Sequence, residues 1–186
     1  MKRHLLMLTA LLASLVLAGS SLATGTRAQR HGSTQMTAGT IVQVAAANPQ
    51  FSTLVSLVKK AGLVSALSNP KAHLTVFAPT NAAFAALKKK DPMTFNAVAT
   101  TPSLLKKVLT YHVLTTEVDA AAATAAAQKN AKVKTLEGES IALTLKAGKI
   151  ILNGSATVVK PNVTASNGVI HVIDSVLTPP SVKVSG

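Results

Sequence analysis

The sequence contains no cysteine. Disulfides, zinc–thiolate sites, thiol catalysis and cysteine-borne lipid anchors are therefore excluded. Tryptophan is also absent, and aromatic residues are 3% of the chain: Phe51, Phe77, Phe84, Phe95 and Tyr111. Platforms on which nucleic-acid bases or sugars stack are not expected from so few rings. Acids are scarce as well. Asp91, Glu117, Asp119, Glu137, Glu139 and Asp174 face 19 basic residues. What remains is 48% apolar and 13% charged, enough for a core and too weakly charged for a disordered chain. A chain of 186 residues has room for one domain. Without disulfides, that domain must be stabilised by burial.

The chain divides into an address and a domain. Lys2, Arg3 and His4 precede an apolar run over residues 5–18, then a small-residue stretch ending in Ser21, Leu22 and Ala23. This is the layout of a secretory signal peptide, expected over residues 1–23. The apolar run is shorter than the roughly 20 residues of a spanning helix. Read through to Ala23 it approaches that length, so a retained anchor is the alternative. Ser20 stands where a lipoprotein would carry cysteine, so no lipid is attached there. Residues 24–38 are expected to be a flexible lead-in, 39–180 the domain and 181–186 a short tail. The expected location is secreted, periplasmic or cell-surface.

The formal net charge is +13. Removing Lys2 and Arg3 with residues 1–23 lowers it by two, to +11. Beyond Arg30 every basic residue is a lysine. Arginine is the side chain for bidentate recognition of phosphates and bases, whereas lysine is a hydrated point charge. Nucleic acid is therefore not an expected partner. Lys88, Lys89, Lys90, Lys106, Lys107, Lys146 and Lys149 are candidates for a patch that attracts an anionic glycan, lipid or envelope polymer. The alternative is a set of solvated helix ends and hairpin tips.

The hydrophobic period changes along the domain. Thr40 is expected to start a short helix stopped by Asn48-Pro49, and Phe51, Leu54, Val55 and Val58 recur at helical spacing. Residues 73–77 read as a buried strand ended by Ala78-Pro79. Thr80 or Asn81 caps the next helix, and Asp91-Pro92 and Pro102 open two more. Residues 111–118 read as a strand, and 120–127 as an alanine-rich helix. Alternation then takes over. A strand and turn are expected at 136–138, a half-buried strand at Ile141, Leu143 and Leu145, and a hairpin at Ala147-Gly148. Asn153-Gly154 and Asn167-Gly168 are further turns. Residues 169–177 read as a long apolar strand ended by Pro179-Pro180. The expectation is an α+β fold with a mostly antiparallel or mixed sheet.

Three ordered segments carry a resemblance. Residues 165–180, ASNGVIHVIDSVLTPP, look like the closing signature of the fasciclin domain. Residues 74–84, LTVFAPTNAAF, resemble its opening signature, and residues 104–114, LLKKVLTYHVL, its Tyr-His segment. The resemblance covers about residues 38–180. It implies a compact wedge or sandwich of short strands flanked by helices, found in secreted or surface proteins. It also implies roles in adhesion or envelope association, with no established catalysis or cofactor.

The resemblance marks Tyr111 and His112 as an adhesion-linked pair. Their residue types also suit a large apolar body and a bonded histidine on a buried strand. Pro79, Thr80, Asn167, Gly168, His171 and Asp174 are expected to be structural. His171 and Asp174 stand three apart, hence on opposite faces of a regular strand, and no metal site is assigned to them. Some adhesive animal members carry an Asp-Ile pair where this chain has Asn162-Val163. An amide cannot serve as the charged ligand of an integrin's metal ion, and the chain has no Arg-Gly-Asp, so integrin is a doubtful partner. Asn153-Gly154-Ser155 and Asn162-Val163-Thr164 fit the glycosylation pattern.

No nucleophile elbow, zinc-protease helix, dinucleotide loop or P-loop is present. Glu117 and Asp119 would share a side of a continuing strand, the one carboxylate pair suited to acid–base work. No catalytic residue and no cofactor is assigned. The expected function is non-enzymatic cell adhesion or association with a cell-surface or envelope component. The alternatives are lysine-driven binding of an anionic polysaccharide or membrane surface, and a small-ligand carrier.

Overall fold

The computed structural model describes residues 39–182. The expected signal peptide and lead-in, and the last four tail residues, lie outside the described residues. Four short helical elements open the domain: α1 (Ile41–Ala46), a 3-10 turn (Pro49–Phe51), α2 (Ser52–Lys60) and α3 (Val64–Leu67). Strand β1 (Leu74–Pro79) is followed by α4 (Asn81–Lys90), α5 (Pro92–Thr100) and α6 (Pro102–Tyr111). Then come β2 (Val113–Leu114), α7 (Ala120–Gln128), β3 (Lys132–Lys134), β4 (Ser140–Lys146), β5 (Lys149–Leu152), β6 (Ala156–Ala165) and β7 (Gly168–Ile173). A 3-10 turn, Pro180–Val182, closes the described chain.

Local chemistry sets these boundaries. The Thr80 side chain accepts from the Ala83 amide at 3.3 Å and starts α4. Asp91 accepts from the Thr94 amide at 2.9 Å with Pro92 at the first helical position, and Asp119 accepts from Ala122 at 2.7 Å. Each carboxylate satisfies an amide that the helix itself leaves unpaired. The hydrogen bonds from Thr94 hold the Asp91 carboxyl below its ordinary pKa.

The seven strands run β2-β1-β7-β6-β5-β4-β3. All neighbours are antiparallel except β1 and β7, which pair in parallel from Leu74↔Gly168 to Pro79↔Ile173. The opening and closing signature segments are therefore hydrogen-bonded neighbours. Both strands are buried along their whole length. Val76, Ala78, Ile170 and Val172 face one core with α1, α2 and α6. Phe77 and Ile173 face a second core with Tyr111, Ile141, Leu143, Leu152 and the Ala123 and Ala127 positions of α7. A parallel pair covered on both faces reads as a continuous apolar run rather than an alternating one. The fold is α+β with a mixed sheet, as the hydrophobic periods led one to expect, and it is the wedge of short strands flanked by helices that the fasciclin resemblance implied.

Four local expectations are corrected. Residues 111–118 are not a strand. Helix α6 runs to Tyr111, His112 ends it with helical backbone angles, and β2 holds two residues. The stripe of Leu105, Val108 and Leu109 continues at helical spacing to His112, and this stripe wins over local β-propensity. The strand near residue 136 lies earlier, at Lys132–Lys134, and residues 136–139 form a turn. Strand β7 ends at Ile173 rather than Leu177, so Asp174 lies beyond it and the opposite-face argument for His171 and Asp174 does not apply. Glu117 and Asp119 do not share a strand face. Asp119 caps α7, and Glu117 lies 3.3 Å from the His73 ring. At the C-terminal boundary, Val182 is buried in the first core, so the packed chain runs past Pro180.

Candidate functional site

Tyr111 ends α6 with no exposed surface. Its hydroxyl donates to the Ser140 carbonyl at 3.1 Å and accepts from Asn153 Nδ2 at 2.8 Å. Asn153 Oδ1 in turn accepts from the Ala142 amide at 2.9 Å. One ring thus ties α6 to the start of β4 and to the β5–β6 turn. Burial pushes the phenol above its ordinary pKa. The Asn153 amide nitrogen, the atom a glycan would take, is committed to this bond.

His112 is 2% exposed. Its Nδ1 donates to the Val108 carbonyl at 2.7 Å, and its Nε2 accepts from the Leu177 amide at 3.0 Å. These partners fix a neutral ring protonated at Nδ1. Burial pulls its pKa down to about 4. His171 has the opposite tautomer. Its Nε2 donates to the Val118 carbonyl at 2.8 Å, Nδ1 accepts from the Asn162 amide at 3.3 Å, and the ring stacks on Phe77 at 5.8 Å. Burial lowers its pKa too. Both rings have partners at both nitrogens. Among the described residues, no group of three His, Asp or Glu side chains is placed to hold a metal ion.

Asn167 holds the turn before β7. Its Oδ1 accepts from the Ile41 amide at 2.8 Å, and its Nδ2 donates to the carbonyls of Leu67 and Asn69 at 2.9 and 3.0 Å. Next to it, Gly168 has a φ of +146°, and a Cβ there would lie 1.9 Å from the Leu74 carbonyl oxygen. The glycine is required both by backbone angle and by the approach of β1. Asp174 is exposed and accepts from the Thr157 amide at 2.8 Å. Pro79 is buried at the end of β1. Asn162 has a φ of +56°, and its Oδ1 accepts from the Ala120 amide at 2.7 Å.

Tyr111 and His112, marked as adhesion-linked by resemblance, are thus interior. They position α6 against the strands and present no surface to a partner. Two apolar cavities of about 30 and 50 Å³ flank His112. Ligand pockets are roughly ten times larger, so these cavities give the carrier reading no support.

The lysines are outside. Lys88, Lys89 and Lys90 occupy the last turn of α4, where a cation opposes the helix dipole, and Lys59 and Lys60 do the same on α2. Lys88 lies 6.0 Å from the Phe95 ring centre. Lys106 and Lys107 lie on α6, and Lys107 pairs with Glu137 at 3.4 Å. Lys146 and Lys149 face each other across the β4–β5 turn, apart from the helices. Residues 39–112 hold eight lysines (59, 60, 71, 88, 89, 90, 106, 107) and one acid, the cap Asp91. Residues 113–186 hold seven lysines and five acids. The excess positive charge therefore sits on the helical part of the domain.

The family model for the fasciclin domain matches residues 49–179. Protein sll1483 of a Synechocystis strain is 48% identical over 141 residues, covering 76% of this chain and 74% of that protein. The immunogenic protein MPB70 of Mycobacterium bovis is 37% identical over 146 residues, covering 75% of this chain and 69% of its own. A FAS1 domain pair from the insect cell adhesion molecule Fasciclin I superposes with a TM-score of 0.69 at 23% identity, covering 78% of this chain and 53% of the pair. That likeness is one of fold. With paired signature strands, a matching family model and a near relative at 48% identity, this chain belongs to the fasciclin domain family.

Proposed function

We propose that this protein is an exported module that attaches to an acidic component of a cell surface or envelope through its lysine-bearing helical part. Fasciclin domains are non-enzymatic and generally serve adhesion and association with surfaces. The observation that carries the reading is the uneven charge: eight lysines against one acid over residues 39–112. Such a field draws polyanions, and without arginine it selects for charge density rather than for a fitted phosphate or base. The interior positions of Tyr111 and His112 support the same reading, because they leave recognition to exposed groups. An anionic glycan is the partner class that best suits hydrated lysines without aromatic platforms.

The test is retention of the protein on intact cells and extracted envelope polymers at low and high salt. Retention is expected to fall steeply as salt rises, and to fall at low salt when Lys88, Lys89 and Lys90 are all changed to glutamine. Salt-resistant retention indifferent to these changes would instead point to an uncharged, loop-borne contact. The opening signal-like segment favours export, and N-terminal sequencing of the secreted chain, with Thr24 first, is the direct check.

A further inference from the structure

A groove of about 380 Å³ opens between α4 and the segment that follows β7. Ala86, Leu87 and Lys90 line one wall, Ser155 of the β5–β6 turn a second, and Val176 and Thr178 a third. A hollow of about 200 Å³ shares Ser155 and Thr178 and lies next to it. The groove is large enough for a ligand, unlike the apolar cavities around His112.

The main chain of this third wall has unused hydrogen-bonding capacity. The Leu177 amide points inward and donates to His112 Nε2. Its neighbours on either side, Val176 and Thr178, have neither amide nor carbonyl bonded to any described residue. Both are half-buried, where an unpaired amide is costly. Thr178 precedes Pro179, which favours extended backbone at this position. In an extended chain successive amides point to opposite sides, so an inward Leu177 turns Val176 and Thr178 outward. Unpaired donors and acceptors two residues apart form the pattern of an open strand edge.

We propose that this groove accepts an extended polypeptide segment, paired through its main chain with Val176 and Thr178. Main-chain pairing gives such a site affinity, and its side walls give preference at alternate residues. Ala86 and Leu87 provide an apolar wall, and Lys90 and Asp91 place one charge of each sign at that end. A sugar is the weaker fit. The groove's lining holds no aromatic side chain, and Tyr111, at the adjoining hollow, has both hydroxyl partners in place and a buried ring.

The experiment pans a random dodecapeptide display library against the full chain at high salt, which suppresses the lysine-driven attachment proposed above and keeps the two ideas separable. Enriched peptides are then titrated while amide NMR signals are followed. The expected result is movement of the Val176, Thr178 and Ser155 amides. Ala86→Trp, on the exposed side of α4, is expected to fill the groove and weaken binding at least about tenfold. Ala82→Trp, exposed on the same helix and outside the groove, is expected to leave binding unchanged. No enrichment over a blank surface, movement of other amides only, or equal affinity in the Ala86→Trp variant would overturn the proposal. So would movement of these amides by neutral oligosaccharides alone.

Discussion

Along β7 every residue from Gly168 to Ile173 is buried, whereas along β4 buried Ile141 and Leu143 alternate with half-buried or exposed neighbours. Both strands belong to one sheet, but they meet different demands. The β1–β7 pair has a core on each face, so it has no side on which a misfit can relax. The β4–β5 hairpin has a core on one face and water on the other, and its lysine-flanked turn is free to vary. The residues that make the family recognisable sit in or against the first region. The exposed lysines lie outside that buried seam. A buried signature position therefore reports how the chain folds, and a binding surface has to be sought among its exposed or half-buried neighbours, such as Lys106, Val176 and Thr178.

The sharpest way to break this contrast is Gly168→Val. The new side chain would meet the Leu74 carbonyl and adopt a φ foreign to it, and a loss of about 4 kcal/mol or more is expected, enough to abolish folding. A soluble variant with a near-normal melting curve would remove the argument for a tight β1–β7 seam.

A smaller effect is expected from acid. His112 is neutral in the folded domain with a pKa of about 4, below its ordinary 6.5. The unfolded chain therefore binds more protons as pH falls, so stability is complete above pH 6.5 and declines from there toward pH 4. The full loss is roughly 3 kcal/mol from this residue. The lowered His171 pKa acts in the same direction. Urea unfolding across this range should show the slope, and His112→Gln should flatten it. A wild-type stability that is level from pH 7 to 4 would contradict the buried neutral ring.

Tyr111→Phe keeps the ring and removes the hydroxyl, leaving the Ser140 carbonyl and the Asn153 amide each without a partner. A loss of about 1–2 kcal/mol is expected in urea unfolding. The smallest change should carry the opposite sign. Ala147 has a φ of +49° in the β4–β5 turn, and Ala147→Gly is expected to stabilise by about 0.5–1 kcal/mol. Measured together, the four variants ask whether tolerance really divides along the sheet as burial does.

Much of the architecture was legible because it rests on short-range chemistry. Asp91-Pro92, Thr80, Ala147-Gly148 and Asn153-Gly154 are caps and turns that act within a few residues. Residues 111–118 misled because their type suits a strand. Their helical end is set by a stripe that starts at Leu105 and by the bond that His112 accepts from the Leu177 amide, far away in sequence. Residues 174–178 misled for a related reason. An apolar run continues past Ile173, but the last main-chain bond to β6 is made by the Asp174 amide, and the chain leaves the sheet after it. The groove formed there was invisible, since it depends on α4 lying opposite. Asp174-Ser175 was the available signal, two polar residues interrupting an otherwise apolar run.

The parallel pairing of Leu74 with Gly168 joins positions separated by 94 residues. Closing so long a loop is entropically costly, and the centre of the sheet cannot form until nearly the whole chain has been made. During synthesis β1 has no parallel neighbour, and one of its two flanks stays open. A nascent chain of this design is late to become compact, because the strand that completes its central seam is the last one made.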